Sequence, residues 1–246
     1  GHLVAFPTET VYGLGGDATN ANAVARIFEA KGRPTFNPLI VHVPGLEAAA
    51  QLGIFTPYAQ LLAQSFWPGP LTLVVERASG APVAELASAG LSTLALRAPA
   101  HPAAQALLKV VGRPLAAPSA NRSGRITATT AQHVAEDLAE RVAMILDAGP
   151  AVHGLESTVI DATGEDLVLL RPGAIAAETI EAVLGAKLAR AGDMSAKPAS
   201  PGQLESHYAP NAKVRLNATD VRPGEALLAF GETVPPTSGP FANLSP

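Results

Sequence analysis

Pro7-Thr8-Glu9-Thr10-Val11-Tyr12-Gly13-Leu14-Gly15 follows the apolar run Leu3-Val4-Ala5-Phe6, and further on comes Lys31-Gly32-Arg33-Pro34-Thr35-Phe36-Asn37-Pro38-Leu39. Together they spell strand, polar turn, helix, basic turn, strand. Within Ala21 to Lys31, the residues Val24, Ile27 and Phe28 recur at helical spacing, and Asn20 or Asn22 is placed to cap the helix. Hydroxyls and a carboxylate occupy the first turn, and two fixed cations the second. This suits a ligand that carries both phosphate and amino-acid groups. Each turn also has a plainer reading. The first is a capped corner whose Thr and Glu satisfy backbone donors. The second is a helix end whose cations complement the macrodipole. Neither G-x-x-x-x-G-K-[ST] nor G-x-G-x-x-G occurs, so neither standard nucleotide fold is supported.

Outward from this stretch, β-type and helical runs alternate. Strands are predicted at 3–6, 39–43, 71–76, 92–98, 114–117, 142–147, 157–161 and 167–171, and helices at 20–31, 46–52, 57–66, 101–111, 129–140 and 176–190. The alternation predicts an α/β fold, a twisted mixed sheet with flanking helices. Near Ala191 helical periodicity gives way to Pro, Gly and Ser. The expected organisation is therefore a catalytic domain over 1–190, a linker arm over 191–212 and, over 213–246, the start of a small α/β domain that is cut short. A strand-helix start is expected from Lys213-Val214-Arg215-Leu216 and Ala226 to Phe230. The chain opens on a strand without a methionine, so its natural start is expected upstream.

Of 246 residues, 48% are apolar and only 15% charged, which suits a packed core and argues against a disordered chain. No apolar run approaches the ~18 residues of a membrane span. The net charge is −4, so any nucleotide or nucleic-acid contact must come from a local basic patch. The lack of cysteine removes disulfides, thiolate catalysis and thiolate metal sites, and fits a reducing cytoplasm.

Several cations sit where solvated helix faces do not put them. Lys31, Arg33, Arg97, Arg122 and Arg171 all lie beside Gly, Pro or Ser at element ends. Thr93, Ala95 and Arg97 share one strand face, and an arginine buried there needs an anionic partner. Pro118-Ser119-Ala120-Asn121-Arg122-Ser123-Gly124 is a turn dense in donors that suits phosphate. Ser157 and Arg171 fall at the same end of an expected hairpin that turns at 164–165. Trp67-Pro68-Gly69-Pro70 is read as a structural turn, and His42, alone in its strand, as a core histidine. The five cations point to one anion-binding cleft.

These segments, in this order, resemble the threonylcarbamoyl-AMP synthase family, whose catalytic part is the YrdC-like domain. The resemblance rests on P-T-E-T-V-Y-G-L-G, K-G-R-P-x-x-N-P-L, P-S-A-N-x-S-G, E-S-T-V-I-D and L-R-P-G-A-I, and spans about residues 3–185. The segment Ser200 to Pro210 is similar to the linker of the two-domain form, in which an arm reaches over the active site. The resemblance implies an open YrdC-like sheet with a basic central cleft. It implies a nucleotidyltransferase that makes L-threonylcarbamoyladenylate and pyrophosphate from L-threonine, bicarbonate and ATP. A separate enzyme then transfers the threonylcarbamoyl group to adenosine in tRNA. By motif, Thr10, His42, Arg97, Ala117 and Ser157 would hold threonine or its carbamate. Arg33, Asn37, Thr93, Ser119, Thr127 and Arg171 would hold ATP, Lys31 would contact phosphate, and Tyr208 would close over the nucleotide. Lys31, Arg33 and Arg97 would carry catalysis by neutralising charge. Mg²⁺ would come with ATP, without a dedicated protein metal site. A cytoplasmic enzyme with weak tRNA contact and no membrane contact is implied. Two alternatives remain open at this stage: a double-stranded RNA or tRNA-binding module using the same cleft, and a carbamoyl-adenylate-forming domain of a longer chain.

Overall fold

In the computed structural model, residues 1–190, 212–232 and 234–244 are described. The chain divides into two compact units, Gly1–Ala209 and Pro210–Pro246.

The first unit is built on one mixed sheet. Its strands are β1 (Val4–Pro7), β2 (Tyr12–Asp17), β3 (Ile40–His42), β4 (Gly53–Ile54), β5 (Leu71–Arg77), β6 (Thr93–Arg97), β7 (Leu115–Ala116), β8 (Met144–Ile145), β9 (Thr158–Asp161), β10 (Val168–Arg171) and β11 (Ala189–Arg190). They lie in the order β11-β10-β9-β5-β6-β3-β7-β2-β1-β8, with β4 paired beside β5. β3 runs parallel to β6 and β5 parallel to β9, while β1–β2, β5–β6 and β9–β10 are antiparallel. The helices are α1 (Ala21–Lys31), α2 (Leu46–Ala49), α3 (Pro57–Phe66), α4 (Glu85–Ser88), α5 (Pro102–Val111), α6 (Ala131–Leu138) and α7 (Ala177–Leu184). This is the mixed sheet with flanking helices that the alternation predicts.

The pleat sorts the sheet into two faces. Val41, Leu71, Leu73, Val75, Leu94, Leu96 and Ile160 join one large core with Val24, Ile27 and Phe28 of α1 and Leu62 of α3. The alternate residues Ile40, Val74, Ala95 and Val159 form a small separate cluster on the other face. Thr72 and Arg97 alternate onto that second face by the same rule, so the strands that fill the core also floor a cleft.

Three departures from the predicted elements have local causes. The segment after Thr10 is not a turn into a helix but a second strand, β2, paired with β1 from Val4↔Gly15 to Pro7↔Tyr12. Its glycines hide it from any apolar count. The Phe6 ring lies across Gly13 and Gly15: a Cβ on Gly15 would stand 2.7 Å from that ring. The helix predicted to run to 190 stops at Leu184, because Gly185 takes a left-handed φ of 67° and the chain turns into β11. In the second unit, Lys213 to Leu216 is not a strand. Arg215 is instead drawn to Asp220 at 2.8 Å and Glu225 at 2.6 Å. The described strands of that unit are β12 (Leu227–Ala229) and β13 (Phe241–Asn243), which pair in parallel.

The Phe6 contact makes a test. Gly15→Ala should cost about 1–3 kcal/mol by overpacking. Gly164→Ala, where an added Cβ meets nothing within 4 Å, should stay within about 0.5 kcal/mol of the parent. Urea unfolding of both variants measures the difference.

Candidate active site

Arg33, Arg97 and Arg171 are each at least 92% buried, yet all three line one narrow cleft on the second face of the sheet. With them are Thr8, His42, Ala117, Ser119, Glu156 and Ser157. The space between them is only about 30 Å³, because the chain's own groups meet across it.

Arg97 ends β6 and points off the cleft floor. Its Nη2 donates to Glu9 Oε1 at 2.5 Å, and its Nε to the Gly69 carbonyl at 3.3 Å. Glu9 Oε2 accepts from the backbone N–H groups of Ala100 at 2.8 Å and His101 at 3.3 Å. Burial alone would raise the pKa of Glu9, but the Arg97 charge and hydrogen bonds hold it below the ordinary value. The anionic partner expected for a buried Arg97 is thus present within the chain. The Trp67-Pro68-Gly69-Pro70 turn, read as structural, also supplies the carbonyl that braces Arg97.

Arg171 ends β10 opposite the start of β9. Its Nε and Nη2 donate to the Ser157 carbonyl at 3.1 and 2.9 Å, Nη2 also reaches Ser157 Oγ at 3.1 Å, and Nη1 pairs with Glu156 Oε2. Ser157 Oγ lies 2.7 Å from Thr72 Oγ1, a hydroxyl pair standing on the cleft floor. Close backbone packing fixes this corner. A Cβ on Gly173 would stand 2.4 Å from the Glu156 carbonyl oxygen.

Arg33 follows α1. That helix is capped by the Asn20 side chain and closes at Gly32, with a left-handed φ of 59° and an Arg33 N–H bond to the Phe28 carbonyl. Arg33 donates to the Asn37 carbonyl at 3.1 Å, Asn37 Oδ1 at 2.7 Å and the Pro38 carbonyl at 2.8 Å. Asn37 Nδ2 is buried without a hydrogen-bond partner among the described residues, as is Nδ1 of His42. Phe6 meets the His42 ring edge-on at 6.2 Å. Burial, with Arg97 nearby, pushes the His42 pKa down to about 3, so the ring is neutral at pH 7.

Other sequence-predicted residues fall elsewhere. Lys31 is not on the cleft wall. Its ammonium lies behind the 118–121 loop, donating to the Ser119 carbonyl at 2.6 Å and to that of Asn121. Burial, with Arg33 close by, brings its pKa down to about 7. Arg122 is also outside the cleft, paired with Asp137 of α6 at 2.9 Å, so its charge serves the loop rather than a common anion site. Thr10 is fully buried and reaches the cleft only through Thr8, hydroxyl to hydroxyl at 2.8 Å. Thr93 starts β6, two pleats from Arg97, and does not line the cleft. Thr127 lines a neighbouring cavity of about 660 Å³, along with Asn121, Arg125, His133 and Gly173. Glu156 borders both spaces, its Oε1 lying 3.4 Å from Thr127 Oγ1. Tyr208 lies outside the described residues. Sequence reasoning did not single out Thr72 or Glu156, and it noted Glu9 as a turn carboxylate without its partner Arg97. Both acids stand in quoted motifs, and the usable signal was charge balance, since buried arginines need acids nearby.

The Sua5/YciO/YrdC family model, described as Telomere recombination, matches residues 1–173. The chain belongs to this family. A second model, described as the threonylcarbamoyl-AMP synthase C-terminal domain, matches residues 175–234. The Bacillus subtilis family protein named threonylcarbamoyl-AMP synthase is 49% identical over 217 residues, covering 87% of this chain and 62% of its own length. A Mycobacterium tuberculosis protein, putatively so named, is 42% identical and covers 75% of this chain and 84% of itself. Among solved family structures, P. abyssi Sua5 in complex with L-threonine superposes with a TM-score of 0.82 at 48% identity, covering 86% of this chain and 63% of that one. E. coli YciO, 23% identical at a TM-score of 0.65 and covering 73% of this chain and 87% of that one, shares the fold. The chain spans about three-fifths of the length of the Bacillus and Pyrococcus relatives.

A neutral His42 buried in the folded state carries a pH signature. Its folded pKa lies below the unfolded value of 6.5, so its contribution to stability is complete above pH 6.5 and is lost as pH falls toward about 3. Across that window the loss reaches up to about 1.4 kcal/mol per pH unit. His42→Phe should flatten this part of the profile, as read by urea unfolding at pH 6.5 and 4.5 in both proteins.

Proposed function

We propose that this chain is an L-threonylcarbamoyladenylate synthase, a nucleotidyltransferase that converts L-threonine, bicarbonate and ATP into L-threonylcarbamoyladenylate and pyrophosphate for threonylcarbamoyladenosine formation in tRNA. The observation that carries this reading is the set of three buried arginines lining one cleft with His42, whose buried Nδ1 has no hydrogen-bond partner among the described residues. The names of the relatives and the threonine complex of P. abyssi Sua5 support it.

In this reading Arg97 pairs with the threonine carboxylate, and Glu9 keeps the guanidinium aimed at it. His42, Ala117, Ser157 and, through Thr8, Thr10 shape the amino-acid subsite. Arg33, Asn37, Ser119 and Arg171 hold the phosphates, and the larger cavity beside Thr127 takes the nucleoside. Thr93 and Tyr208 are assigned to the nucleotide by family resemblance alone. Lys31 acts from behind, holding the loop that carries Ser119. The carbamate oxygen attacks the α-phosphorus and pyrophosphate leaves, so the chain's part is orientation and charge neutralisation. Magnesium would arrive on the nucleotide, where it offsets phosphate charge. We assign the enzyme to the cytoplasm, upstream of a separate threonylcarbamoyl transferase and with weak tRNA contact. Among the described residues no helix is long and apolar enough to cross a membrane.

The test is pyrophosphate release from ATP with Mg²⁺ and bicarbonate. Release should depend on L-threonine and be weak with L-serine. Arg33→Ala and Arg97→Ala should each lower kcat/KM about 10–100-fold, the loss of one or two charge-assisted hydrogen bonds. Release indifferent to threonine, from folded protein, would sink the proposal.

A further inference from the structure

The proposed reaction needs a proton acceptor that the ligand-holding groups do not supply. Threonine arrives as an ammonium, and a nitrogen with three N–H bonds has no lone pair with which to attack carbon. The acceptor must stand within hydrogen-bond reach of that nitrogen.

Among the described residues on the cleft wall, Glu156 is the one carboxylate. Glu9 does not line the cleft; it stands behind Arg97, held by the guanidinium and by two backbone N–H groups. His42 lines only the narrow cleft and does not border the larger cavity. Glu156 also occupies the right place. It borders the cleft of His42, Arg97 and Ser157 on one side and the larger cavity beside Thr127 on the other. The amine and the α-phosphorus must meet at that boundary. Its backbone is held there, its carbonyl accepting from the Ala174 N–H at 3.0 Å and packing against Gly173.

We propose that Glu156 is the general base for carbamate formation, an assignment that rests on the synthase reading above. The Glu156 carboxylate takes one proton from the threonine ammonium, and the N–H electron pair becomes the lone pair of the amine. The Glu156 acid passes that proton to the hydroxyl of bicarbonate, whose C–O bond breaks to leave water and carbon dioxide. The amine forms a bond to the carbon of carbon dioxide, and one C=O pair moves onto oxygen. A second N–H proton returns to Glu156 and leaves to solvent. One ammonium and one bicarbonate thus give one carbamate, one water and one proton, with no change of oxidation state. The Arg171 pair gives the step its order. A phosphate arriving at Arg171 competes for the guanidinium and loosens its hold on Glu156, which makes the carboxylate a better base once nucleotide is in place.

Two reactions separate this role from simple support of the site. Forward synthesis from threonine includes the deprotonation. Pyrophosphorolysis of prepared L-threonylcarbamoyladenylate to ATP begins from a carbamate already made and omits it. Glu156→Gln keeps the shape and an acceptor for Arg171 but removes the basicity. Its forward rate should fall about 100-fold or more, at least about tenfold further than its rate of pyrophosphorolysis. Glu156→Asp, which retains a carboxylate, should recover part of the forward rate. An equal loss of both reactions in both variants, with melting temperatures at the parent value, would overturn the assignment and make Glu156 a support for the nucleotide or its metal. An unchanged forward rate in Glu156→Gln would overturn it as well. A parent chain inactive in both directions would refute the synthase reading itself, and this assignment with it.

Discussion

Burying three guanidinium groups on one face of a sheet is the constraint around which the rest of the site is arranged. A buried cation is tolerated only where acceptors surround it. Arg97 takes Glu9 and the Gly69 carbonyl, Arg171 takes Glu156 and Ser157, and Arg33 takes Asn37 and the Pro38 carbonyl. Most of these acceptors are main-chain oxygens or short side chains in turns, because strand and helix interiors spend their carbonyls on themselves. The Pro- and Gly-rich corners at 34–38, 67–70 and 171–173 are therefore part of the electrostatics of the cleft.

Most of the scaffold was legible in the sequence, and what was not had specific causes. β3, β5, β6, β9 and β10 announce themselves as apolar runs bounded by Gly or Pro. β2 does not, because the packing of Phe6 against its glycines removes the side chains that would have marked it. Charge at element ends correctly singled out Arg33, Arg97 and Arg171 as neighbours in one cleft. The same signal placed Lys31 and Arg122 there too. Sequence shows that a charge is present but not which side of a loop it approaches, and both lie on the far side of the 118–124 turn. Glu156 escaped, and Glu9 was noted without its partner, for the opposite reason. A carboxylate among hydroxyls in a turn has the look of a cap, and only the partner across the sheet reveals its other use.

The loop from Pro118 to Asn121 shows how the parts are joined. β2 holds it through the Leu14 N–H to the Pro118 carbonyl at 2.8 Å and the Ala120 N–H to the Tyr12 carbonyl at 2.7 Å. Lys31 pins its far side from the end of α1. Ser119 is thereby fixed to β2 and to the end of α1, which carry the first two motifs of the chain. The motifs that stand apart in sequence are one mechanical unit in space.

The alternation along the central strands has a consequence for how such a protein changes over time. Residues that meet the helices and residues that face the cleft side of the sheet occupy odd and even positions of the same short strands. Exchanging every second residue can rewrite what the cleft accepts while the packing beneath stays as it was. Selection for a new substrate and selection for foldability then act on interleaved but separate sets of codons, which makes this sheet a surface where chemistry can drift without the scaffold having to follow.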